Sequence, residues 1–341
     1  MSDRLWKTLE PENIKKVLDR IEEMDRKATK DEPLKVYTHA DADGITSAVL
    51  LVSALKTEFI EVTIQPRFRT YEDADIGLDL GAPKEEFRGV AIDHHDHFTW
   101  ENNYDLIWDN KPTARIIYDL FKDKIPDDQK WKAVVGISGD GQSELIPDDI
   151  WDKYGSLLLT EMETIEGQYY GKYTHWEAPL YSMLSSPINH ISKTGNTYEA
   201  YIVLKKAETP LDIIWHPMAL AADKRIKEAM KQITSPREPS DKLRIINFKR
   251  LPVSFCVISF EESLSSDVAY RLRSIHKHRT VIVVSSKRLS GSIRGDLAKY
   301  VANKLVAAGF DAGGHPGYCG ITLKDSKDIP NLLGALGKIC N

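Results

Sequence analysis

The sequence predicts an α/β protein in which an N-terminal parallel-sheet domain is joined by a helical connector to a smaller C-terminal α/β domain. Short apolar runs alternate with amphipathic helical patterns over the first 150 residues, and similar runs return after residue 241. Between them, the segment 234–242 is rich in Pro, Ser and charge, which is typical of a boundary. Since 341 residues exceed one small core, we expect three parts, at 1–150, 151–240 and 241–341.

Four segments of the first part have the composition of short buried strands. Each is an apolar or β-branched run that ends in polar residues, and helical patterns lie between or after them. Such interleaving favours a parallel sheet covered by helices on both faces. The predicted strands lie at 34–40, 60–67, 74–80 and 88–95, and the predicted helices at 44–56, 112–121 and 128–142.

The rest of the chain changes character twice. Residues 151–240 mix aromatic and charged side chains without strand alternation, which predicts helices, most clearly at 198–208 and 217–233. After the boundary, the β-branched runs "VSFCVISF", "RTVIVVSS" and "LSGSIRG" predict strands. The segment "AGGHPGYCGITL" (312–323) reads as a Gly-rich turn that leads into one more strand.

The composition is that of a soluble protein from a reducing compartment. The three cysteines, Cys256, Cys319 and Cys340, are far from any CxxC spacing, which argues against disulfides and structural zinc. No stretch approaches the roughly 20 apolar residues that cross a bilayer, and the N-terminus lacks the apolar core of a signal peptide. We therefore expect a cytoplasmic protein without membrane contact. A net charge of −5 argues against a long basic groove for duplex DNA, while a short anionic ligand is compatible with it.

Carboxylates and imidazoles follow the predicted strands at the points where those strands end. Carboxyl ends of parallel strands meet at one edge of a sheet, so side chains far apart in sequence are expected to converge there. Mixed carboxylate and imidazole ligands suit Mn²⁺ or a similar divalent ion. The residues in question are His39, Asp41 and Asp43 in "THADADG", Asp79 in "LDLG", Asp93, His94 and His95 in "DHH", and Asp140 in "SGDG".

The number of these groups indicates two metal ions rather than one. Four or more Asp and His side chains exceed the needs of a single catalytic ion with open positions, but they fit two ions that share a carboxylate. Two ions ~3.5–4 Å apart can activate a water molecule, polarise a phosphoryl group and stabilise the leaving oxygen. Phosphoester hydrolysis needs this arrangement most, because its substrate is an anion that repels hydroxide.

Each residue also has a structural interpretation. Asp41 or Asp43 before a helix makes a good N-terminal cap without any metal, and Asp79 and Asp140, taken singly, are typical capping residues. Asp96 and His97 are assigned to a solvated loop and left out of the site. Buried neighbouring charges such as those of "DHH" are costly unless they are paired or metal-bound. The four motifs in order, each at an element end, favour the metal site.

The sequence resembles the DHH phosphoesterase superfamily, named for the triplet at Asp93-His94-His95. Its four N-terminal motifs match in order, and "GSIRG" (291–295) and "GGHPGYCG" (313–320) resemble the associated DHHA1 domain. The resemblance covers both ends of the chain and leaves 145–240 as a connector.

The resemblance implies a role for each matched residue. Asp79 bridges the two ions, Asp93 orients an imidazole, and His95 contacts the scissile phosphate or positions the attacking hydroxide. His39 aligns with a position that is a ligand in some branches, where the spacing to the first Asp is longer. The implied ligands of two Mn²⁺ ions, with Mg²⁺ as the alternative, are His39, Asp41, Asp43, Asp79, His94 and Asp140.

The C-terminal motifs indicate a phosphate-binding site on independent grounds. Gly313 and Gly314 let backbone N–H groups approach a phosphate closely, and Arg294 offers a planar fork for bidentate contact. His315 supplies a further donor, and Ser292 belongs to the same "GSIRG" motif. The structural alternatives are a plain turn for the glycines and a surface charge for Arg294.

Within the superfamily, the compact first motif "DADGITSA" resembles the RecJ-like single-strand exonucleases. This branch implies release of mononucleotides from single-stranded DNA or RNA, 5′ to 3′, and replication or repair proteins as partners. The compact two-domain size also fits an NrnA-type oligoribonuclease or a phosphodiesterase of cyclic or linear dinucleotides. Some members have lost catalysis and serve as replication scaffolds, and the intact ligand set argues against that role here. Neither the preferred nucleic acid nor the oligomeric state follows from the sequence.

Overall fold

The structure, a computed structural model, describes residues 5, 7–66, 71, 73–83, 86–95, 97, 104–169, 172–234, 243–248, 250–260, 263–275, 278–315 and 317–340. Contacts divide the chain into two units, formed by residues 1–192 with 196–223 and by residues 193–195 with 224–341. After its first residue, the boundary segment 234–242 lies outside the described residues. The domain limits at 150 and 240 stay predictions.

The first unit contains a five-stranded parallel sheet with the order β2-β1-β3-β4-β5. Alternate residues of its strands enter different cores. Val90 and Ile92 pack in one, whereas Ala91 packs on the opposite side with Leu106 and Trp108. Both faces are therefore covered, as the sequence predicted. The strands are β1 (Leu34–His39), β2 (Ile60–Gln65), β3 (Ile76–Leu78), β4 (Val90–Asp93) and β5 (Asp105–Trp108), the last of which was not predicted.

Helices surround this sheet. The first begins at a proline and buries Val17 and Ile21, one turn apart on the same face. The helices of the unit are α1 (Pro11–Lys27), α2 (Ala42–Ala54), α3 (Thr113–Phe121), α4 (Ala133–Gly139), α5 (Asp148–Leu158), α6 (Leu180–Met183), α7 (Ser185–Lys193), α8 (Thr197–Lys206), α9 (Pro210–Ile214) and α10 (Pro217–Thr234), which runs on into the second unit. Short 3₁₀ turns lie at Lys7–Leu9, Lys130–Lys132 and Ser143–Leu145.

The middle part contains a feature that the sequence did not predict. An antiparallel hairpin of β6 (Glu161–Tyr169) and β7 (Lys172–Pro179) lies where only helices were expected. Strands that form a separate two-stranded ribbon do not need one apolar face, so they lack the alternation by which strands are usually recognised. The helices predicted at 198–208 and 217–233 are present as α8 and α10.

The second unit is a six-stranded mixed sheet with the order β12-β13-β11-β10-β9-β8. Only β9 and β10 are parallel, and separate apolar clusters lie around Ile282 and Val283, which are neighbours in β10. The strands are β8 (Leu243–Asn247), β9 (Val253–Ile258), β10 (Thr280–Ser285), β11 (Ser290–Arg294), β12 (Asp311–His315) and β13 (Tyr318–Thr322). The helices are α11 (Ser265–Ile275), α12 (Ala298–Ala307) and α13 (Asp328–Cys340).

The Gly-rich segment 312–323 corrects one prediction. Gly313 and Gly314 were assigned to a turn, but both lie within β12 and pair with Gly320 and Cys319 of β13. Gly314 has a φ of +137°, and a Cβ there would lie 2.7 Å from the carbonyl oxygen of Tyr318. Glycine therefore allows an irregular strand to pack closely against its neighbour, which composition alone does not separate from a turn.

The order of the first sheet places a switch point between β1 and β3. From β1 the chain passes through α2 to β2 on one side, and it later returns to β3 on the other side of β1. The segments that follow the two neighbouring strands diverge and leave a crevice outside their carboxyl ends. Among the described residues, no helix combines the length and the apolar character that crossing a membrane requires.

An ion pair between α1 and β5 makes the stability of the first unit depend on pH. Asp105 binds Lys16 at 2.6 Å and Arg20 at 2.5 Å, and its side chain is largely buried. Burial raises the pKa of Asp105, but hydrogen bonds from Lys16 and Arg20 outweigh it and hold that pKa below its usual value. The stabilisation is therefore present above the unfolded-state pKa near ~4 and is lost as the pH falls through the folded-state value.

We expect Asp105→Asn to lower the free energy of unfolding by about 1 kcal/mol at neutral pH. The difference from wild type is expected to vanish in acid, because both proteins then carry an uncharged side chain at this position. Urea unfolding of both proteins between neutral pH and pH ~3 measures this. Asp19→Asn, which removes an exposed pair with Lys15, is the control and is expected to change little. A deficit of Asp105→Asn that stays constant in acid would contradict the assignment.

Candidate metal centre

Three neighbouring strands deliver side chains to the crevice at the carboxyl edge of the first sheet. His39 is the last residue of β1, Asp79 follows β3 directly, and Asp93 ends β4 immediately before His94 and His95. The strands β1, β3 and β4 are adjacent, so these residues come from three successive positions along one edge. The structure thus brings together motifs that lie far apart in the sequence.

The start of α2 adds two carboxylates beside His39. Asp41 caps the helix by accepting the N–H of Gly44 at 3.0 Å, while its other oxygen lies 2.8 Å from Nδ1 of His39. A Cβ at position 44 would lie 2.5 Å from the carbonyl oxygen of His39, so glycine lets the helix begin directly against the strand end. The capping interpretation is correct for one oxygen of Asp41, and the other oxygen faces the crevice.

Asp43 points the other way, toward the N-terminus of α3. Its two oxygens accept the backbone N–H groups of Thr113 at 2.7 Å and Ala114 at 2.8 Å. The hydroxyl of Thr113 also donates to Oδ1 of Asp79 at 3.1 Å. Thr113 therefore fixes two of the predicted ligands at once. Sequence reasoning missed it, because it appeared only as the first residue of an amphipathic helix.

Asp140 closes the cluster from a separate helix. It occupies the C-terminal end of α4, and its Oδ2 lies 3.3 Å from Nε2 of His94. A carboxylate at this end of a helix faces the negative end of the helix dipole, so its position does not stabilise α4. Capping thus does not account for Asp140, in contrast to Asp41.

His94 lies at the centre of the carboxylates. Its Nε2 is 3.1 Å from Oδ1 of Asp79 and 3.8 Å from Oδ2 of Asp43, and its side chain is buried. On the other side of Asp79, Oδ2 lies 3.8 Å from Nδ1 of His39. The carboxylate of Asp79 therefore separates two half-sites, one toward His39 and one toward His94.

Asp93 serves a different purpose, because its oxygens are already committed. One accepts the N–H groups of Leu80 at 2.9 Å and Gly81 at 2.6 Å, and the other accepts the N–H and Nδ1 of His95 at 2.7 and 2.8 Å. His97 adds a contact of 3.4 Å from its Nε2. A carboxylate surrounded by so many donors has little capacity left for a metal ion. Asp93 holds its neighbours in place.

One consequence of these bonds is the backbone conformation at Asp79. Its φ is +60° and that of Gly81 is +70°, so the turn after β3 is left-handed. Non-glycine residues adopt this region at a cost, and the two N–H bonds to Asp93 hold the turn in it. The strained turn aims the Asp79 carboxylate between the half-sites.

Charge accumulates in the cluster. Burial raises the pKa of Asp79 and that of Asp140 well above their usual values, and the carboxylates of Asp43 and Asp41 raise both further. Burial, followed by the charge of Asp41, raises the pKa of Asp43 to about 7. Each of these carboxylates resists ionisation because the others surround it. A bound cation would relieve this repulsion.

The pKa values of Asp93 and His95 are shifted in favour of their charged forms. Burial raises the pKa of Asp93, but the charge and the hydrogen bond of His95, with further help from His97, outweigh it and hold that pKa well below its usual value. Burial lowers the pKa of His95, and the charge and hydrogen bond of Asp93 raise it by more. Asp93 and His95 therefore each favour the charged form of the other.

The donor set fits divalent cations. Oδ2 of Asp79 and Oδ2 of Asp140 are buried and have no hydrogen-bond partner among the described residues. Within each of three groups, one ligand atom per residue lies within 4.8 Å of the others. Carboxylate oxygen with imidazole nitrogen is a donor set for Mn²⁺ and similar ions. The groups are His39, Asp41 and Asp79; Asp43, His94 and Asp140; and Asp79, His94 and His95.

The assignment of His97 to a solvated loop was wrong. Its side chain is buried, and Nδ1 lies 2.8 Å from the hydroxyl oxygen of Tyr104. Together with Asp93 it forms a buried polar network beside His95. Asp96 lies outside the described residues.

The residues predicted to bind substrate lie in the second unit on β11 and β12, with β13 between them. Arg294 of β11 pairs with Tyr318 of β13, which in turn pairs with His315 of β12. Two residues further along, Gly320 connects Ser292 and Gly313 in the same way. All the predicted residues, Ser292, Arg294, Gly313, Gly314 and His315, therefore fall on a compact area of the sheet.

Arg294 is not a plain surface charge. Its guanidinium carbon lies 4.9 Å from the ring centroid of Tyr318, and Nη2 donates to the hydroxyl oxygen of Ser266 at 2.5 Å. Burial lowers its pKa from the ordinary value for arginine. Gly313 contrasts with Gly314, because no atom of the described residues lies within 4 Å of the position that a Cβ would take there. The backbone at Gly313 is thus open to close approach.

No protein-family model matches the sequence, and no curated protein matches it. Solved structures share its fold. RecJ from Thermus thermophilus in complex with Mn²⁺ has a TM-score of 0.62 at 15% identity, over 97% of this chain and 55% of that one. The chain thus spans about half the length of that RecJ.

Two further structures match along nearly their whole length. Exonuclease RecJ bound to manganese has a TM-score of 0.58 at 15% identity, over 96% of this chain and 94% of that chain. CDC45 from Entamoeba histolytica has a TM-score of 0.56 at 11% identity, over 96% of this chain and 98% of that chain. These likenesses confirm the predicted fold class.

Proposed function

We propose that this chain, which has the fold of the RecJ-like DHH/DHHA1 superfamily predicted from its motifs, is a divalent-metal-dependent phosphodiesterase. The proposed reaction is the release of mononucleotides from single-stranded DNA or RNA, starting at the 5′ end. One observation carries the proposal. Four motifs, distant from one another in the sequence, converge on the Asp79 carboxylate, which lies between two sets of ligand atoms.

Each half-site takes one ion in this proposal. His39 and Asp41 hold the first, Asp43, His94 and Asp140 hold the second, and Asp79 contributes to both. Ions held by these residues would supply Lewis-acid polarisation of a phosphoryl group and a lowered pKa for a bound water molecule. Thr113 keeps Asp43 and Asp79 in register, because its N–H and its hydroxyl bind one carboxylate each.

His95 is the residue placed to act on the substrate. Its Nδ1 is held by Asp93 at 2.8 Å and lies 3.4 Å from Oδ1 of Asp79, so the ring is fixed beside the metal half-sites. In the proposal the ring held in this orientation donates to a phosphoryl oxygen of the substrate. Asp93 orients His95 and stabilises its charged form. The Asp93 carboxylate stays ionised readily, because the histidines bonded to it hold its pKa well below the usual value.

The distribution of charge supports an anionic polymer as substrate. Residues 1–223 carry 25 Lys and Arg against 41 Asp and Glu, whereas residues 224–341 carry 21 against 10. The net charge of −5 therefore hides a C-terminal part with a net charge of +11 and an N-terminal part with −16. In the proposal, Lys and Arg of the C-terminal part neutralise the phosphates of the strand. The overall net charge of −5 had argued against such basic surface.

Arg294 and the glycine strand give this basic unit a specific phosphate site in the proposal. The guanidinium of Arg294 contacts the ring of Tyr318, which helps to hold it in place, and Gly313 has space beside its Cα for a close approach. An arginine beside glycine backbone is a common way to bind a phosphate. The backbone of His315 pairs with Tyr318 in the same row of the sheet.

The test is a length series of end-labelled DNA and RNA strands, from dinucleotides upward, with each end blocked in turn and Mn²⁺ present. We expect mononucleotide release from single strands, and a block at the 5′ end to stop it. Cleavage restricted to dinucleotides would assign the chain to the oligoribonuclease alternative. Tight strand binding without any product, by protein that binds Mn²⁺, would support a non-catalytic scaffold and contradict the proposal.

A further inference from the structure

The helix α11 presents one face to the segment that contains Arg294. Ser266, Tyr270 and Arg273 are spaced i, i+4 and i+7, so they lie on the same side of the helix. Ser266 accepts a hydrogen bond from Nη2 of Arg294, and Nη2 of Arg273 lies 3.0 Å from Oδ1 of Asp296. These two contacts orient the face toward residues 294–296.

Tyr270 lies between these contacts and is left uncovered. It is 74% exposed, more than any other large hydrophobic or aromatic side chain among the described residues with assigned burial. The other side of the helix is well packed, since Val268 and Ala269 are buried in the core of the unit. An amphipathic helix normally places polar residues on its open face, and here it places an aromatic ring between two arginine contacts.

The neighbouring arginine has capacity for a ligand. Nε of Arg294 is buried and has no hydrogen-bond partner among the described residues, while Nη2 is held by Ser266. The ring of Tyr318 lies 4.9 Å from the guanidinium carbon, so the fork is fixed from one side. Arg273 is bound to a carboxylate that is 87% exposed, and such a surface pair contributes little and exchanges partners readily.

We propose that Tyr270 is a nucleobase-stacking platform, on which a base of the bound strand rests while Arg294 binds an adjacent phosphate. This inference rests on the proposed function in taking a single-stranded nucleic acid as the ligand. Every base has an aromatic face, so an exposed ring beside basic groups binds strands of any sequence. The platform distinguishes single strands from duplex, whose stacked bases do not offer a free face.

The experiment measures strand binding apart from cleavage. Fluorescein-labelled single strands of DNA and of RNA are titrated with protein that carries Asp79→Asn, and fluorescence anisotropy gives the dissociation constant. Adding Tyr270→Ala is expected to raise that constant about five- to a hundredfold, whereas Tyr270→Phe is expected to preserve it. The salt dependence is expected to stay unchanged, because stacking neutralises no phosphate.

Two controls make the result specific. Tyr300→Ala removes another exposed tyrosine of the same unit, 48% exposed on α12, and is expected to leave binding unchanged. A labelled strand with abasic sites is expected to bind more weakly and to respond little to Tyr270→Ala. Equal affinity of the Tyr270→Ala and unchanged proteins for the normal strand would overturn the platform. So would an equal loss of affinity for the abasic strand.

The outcome is separable from that of the proposed function. If the wild-type protein releases mononucleotides but Tyr270→Ala binds strands normally, the platform fails and the nuclease stands. If no strand is cleaved and Tyr270→Ala still weakens binding, the platform stands and the proposed reaction fails. Tyr270 is exposed, so its replacement is not expected to affect folding, and far-UV circular dichroism checks this directly.

Discussion

Asp79→Asn is expected to reduce strand hydrolysis about a thousandfold or more, while making the metal-free protein more stable. The loss of activity is expected from the place of Asp79 between the two half-sites, because ions bound there would each lose a ligand. Such ions supply several kcal/mol of transition-state stabilisation. The gain in stability follows from the removal of a buried charge among four other carboxylates. We expect that gain to be about 1 kcal/mol or more, measured by urea unfolding in the presence of a chelator.

Comparing Asp79→Asn with Asp79→Ala distinguishes the effect of the removed charge from the effect of the backbone conformation at this position. The φ of +60° suits asparagine better than alanine, so Asp79→Ala loses part of the stability that Asp79→Asn gains. Both variants are expected to lack activity. Near-normal turnover by either would refute the bridging role of Asp79. A metal-free Asp79→Asn protein less stable than wild type would show that the carboxylates do not repel one another as described.

Removal and return of the metal is expected to give the second large effect. Activity is expected to disappear in chelator and to return with Mn²⁺, because in the proposed reaction the ions held by the cluster would activate the water. When Mn²⁺ exceeds its dissociation constant a thousandfold, binding stabilises the folded protein by about 4 kcal/mol. For a unit of this size that is roughly 10 °C in the melting temperature.

The same thermal shift in variants shows where the ions bind. Asp79→Asn is expected to lose most of the shift. Asp105→Asn is expected to keep it, because Asp105 lies at the amino end of β5, in an ion pair with α1, and not at the carboxyl edge of the sheet. Full activity of the wild-type protein in chelator would contradict metal dependence. An undiminished rise in the melting temperature of Asp79→Asn with Mn²⁺ would show that the metal binds to other residues.

The first sheet was predictable because its strands carry their own signals. Runs such as "LKVYTHA" and "RGVAIDHH" end in polar residues where the structure ends β1 and β4. Carboxyl ends of adjacent parallel strands meet by geometry, so the convergence of His39, Asp79 and His94 followed from the fold alone. The strand β5, whose apolar run is limited to Leu106, Ile107 and Trp108 between polar residues, was not predicted.

The features that could not be predicted depend on contacts between residues distant in the sequence, or were hidden in a charge summed over the whole chain. Thr113 and Tyr104 touch the site only through the fold, and nothing in their local sequence shows this. His97 was assigned to solvent because a loop position next to charged residues is usually exposed. The basic character of residues 224–341 was hidden in a single net charge, which counting each part separately reveals.

X-ray diffraction at the manganese absorption edge, from crystals grown with Mn²⁺, tests the two-ion centre directly. We expect two anomalous peaks about 3.5–4 Å apart, with the carboxylate of Asp79 between them. One peak should lie by His39 and Asp41, and the other by Asp43, His94 and Asp140. A single peak, or peaks that none of these side chains reaches, would contradict the centre from which the proposed reaction is derived.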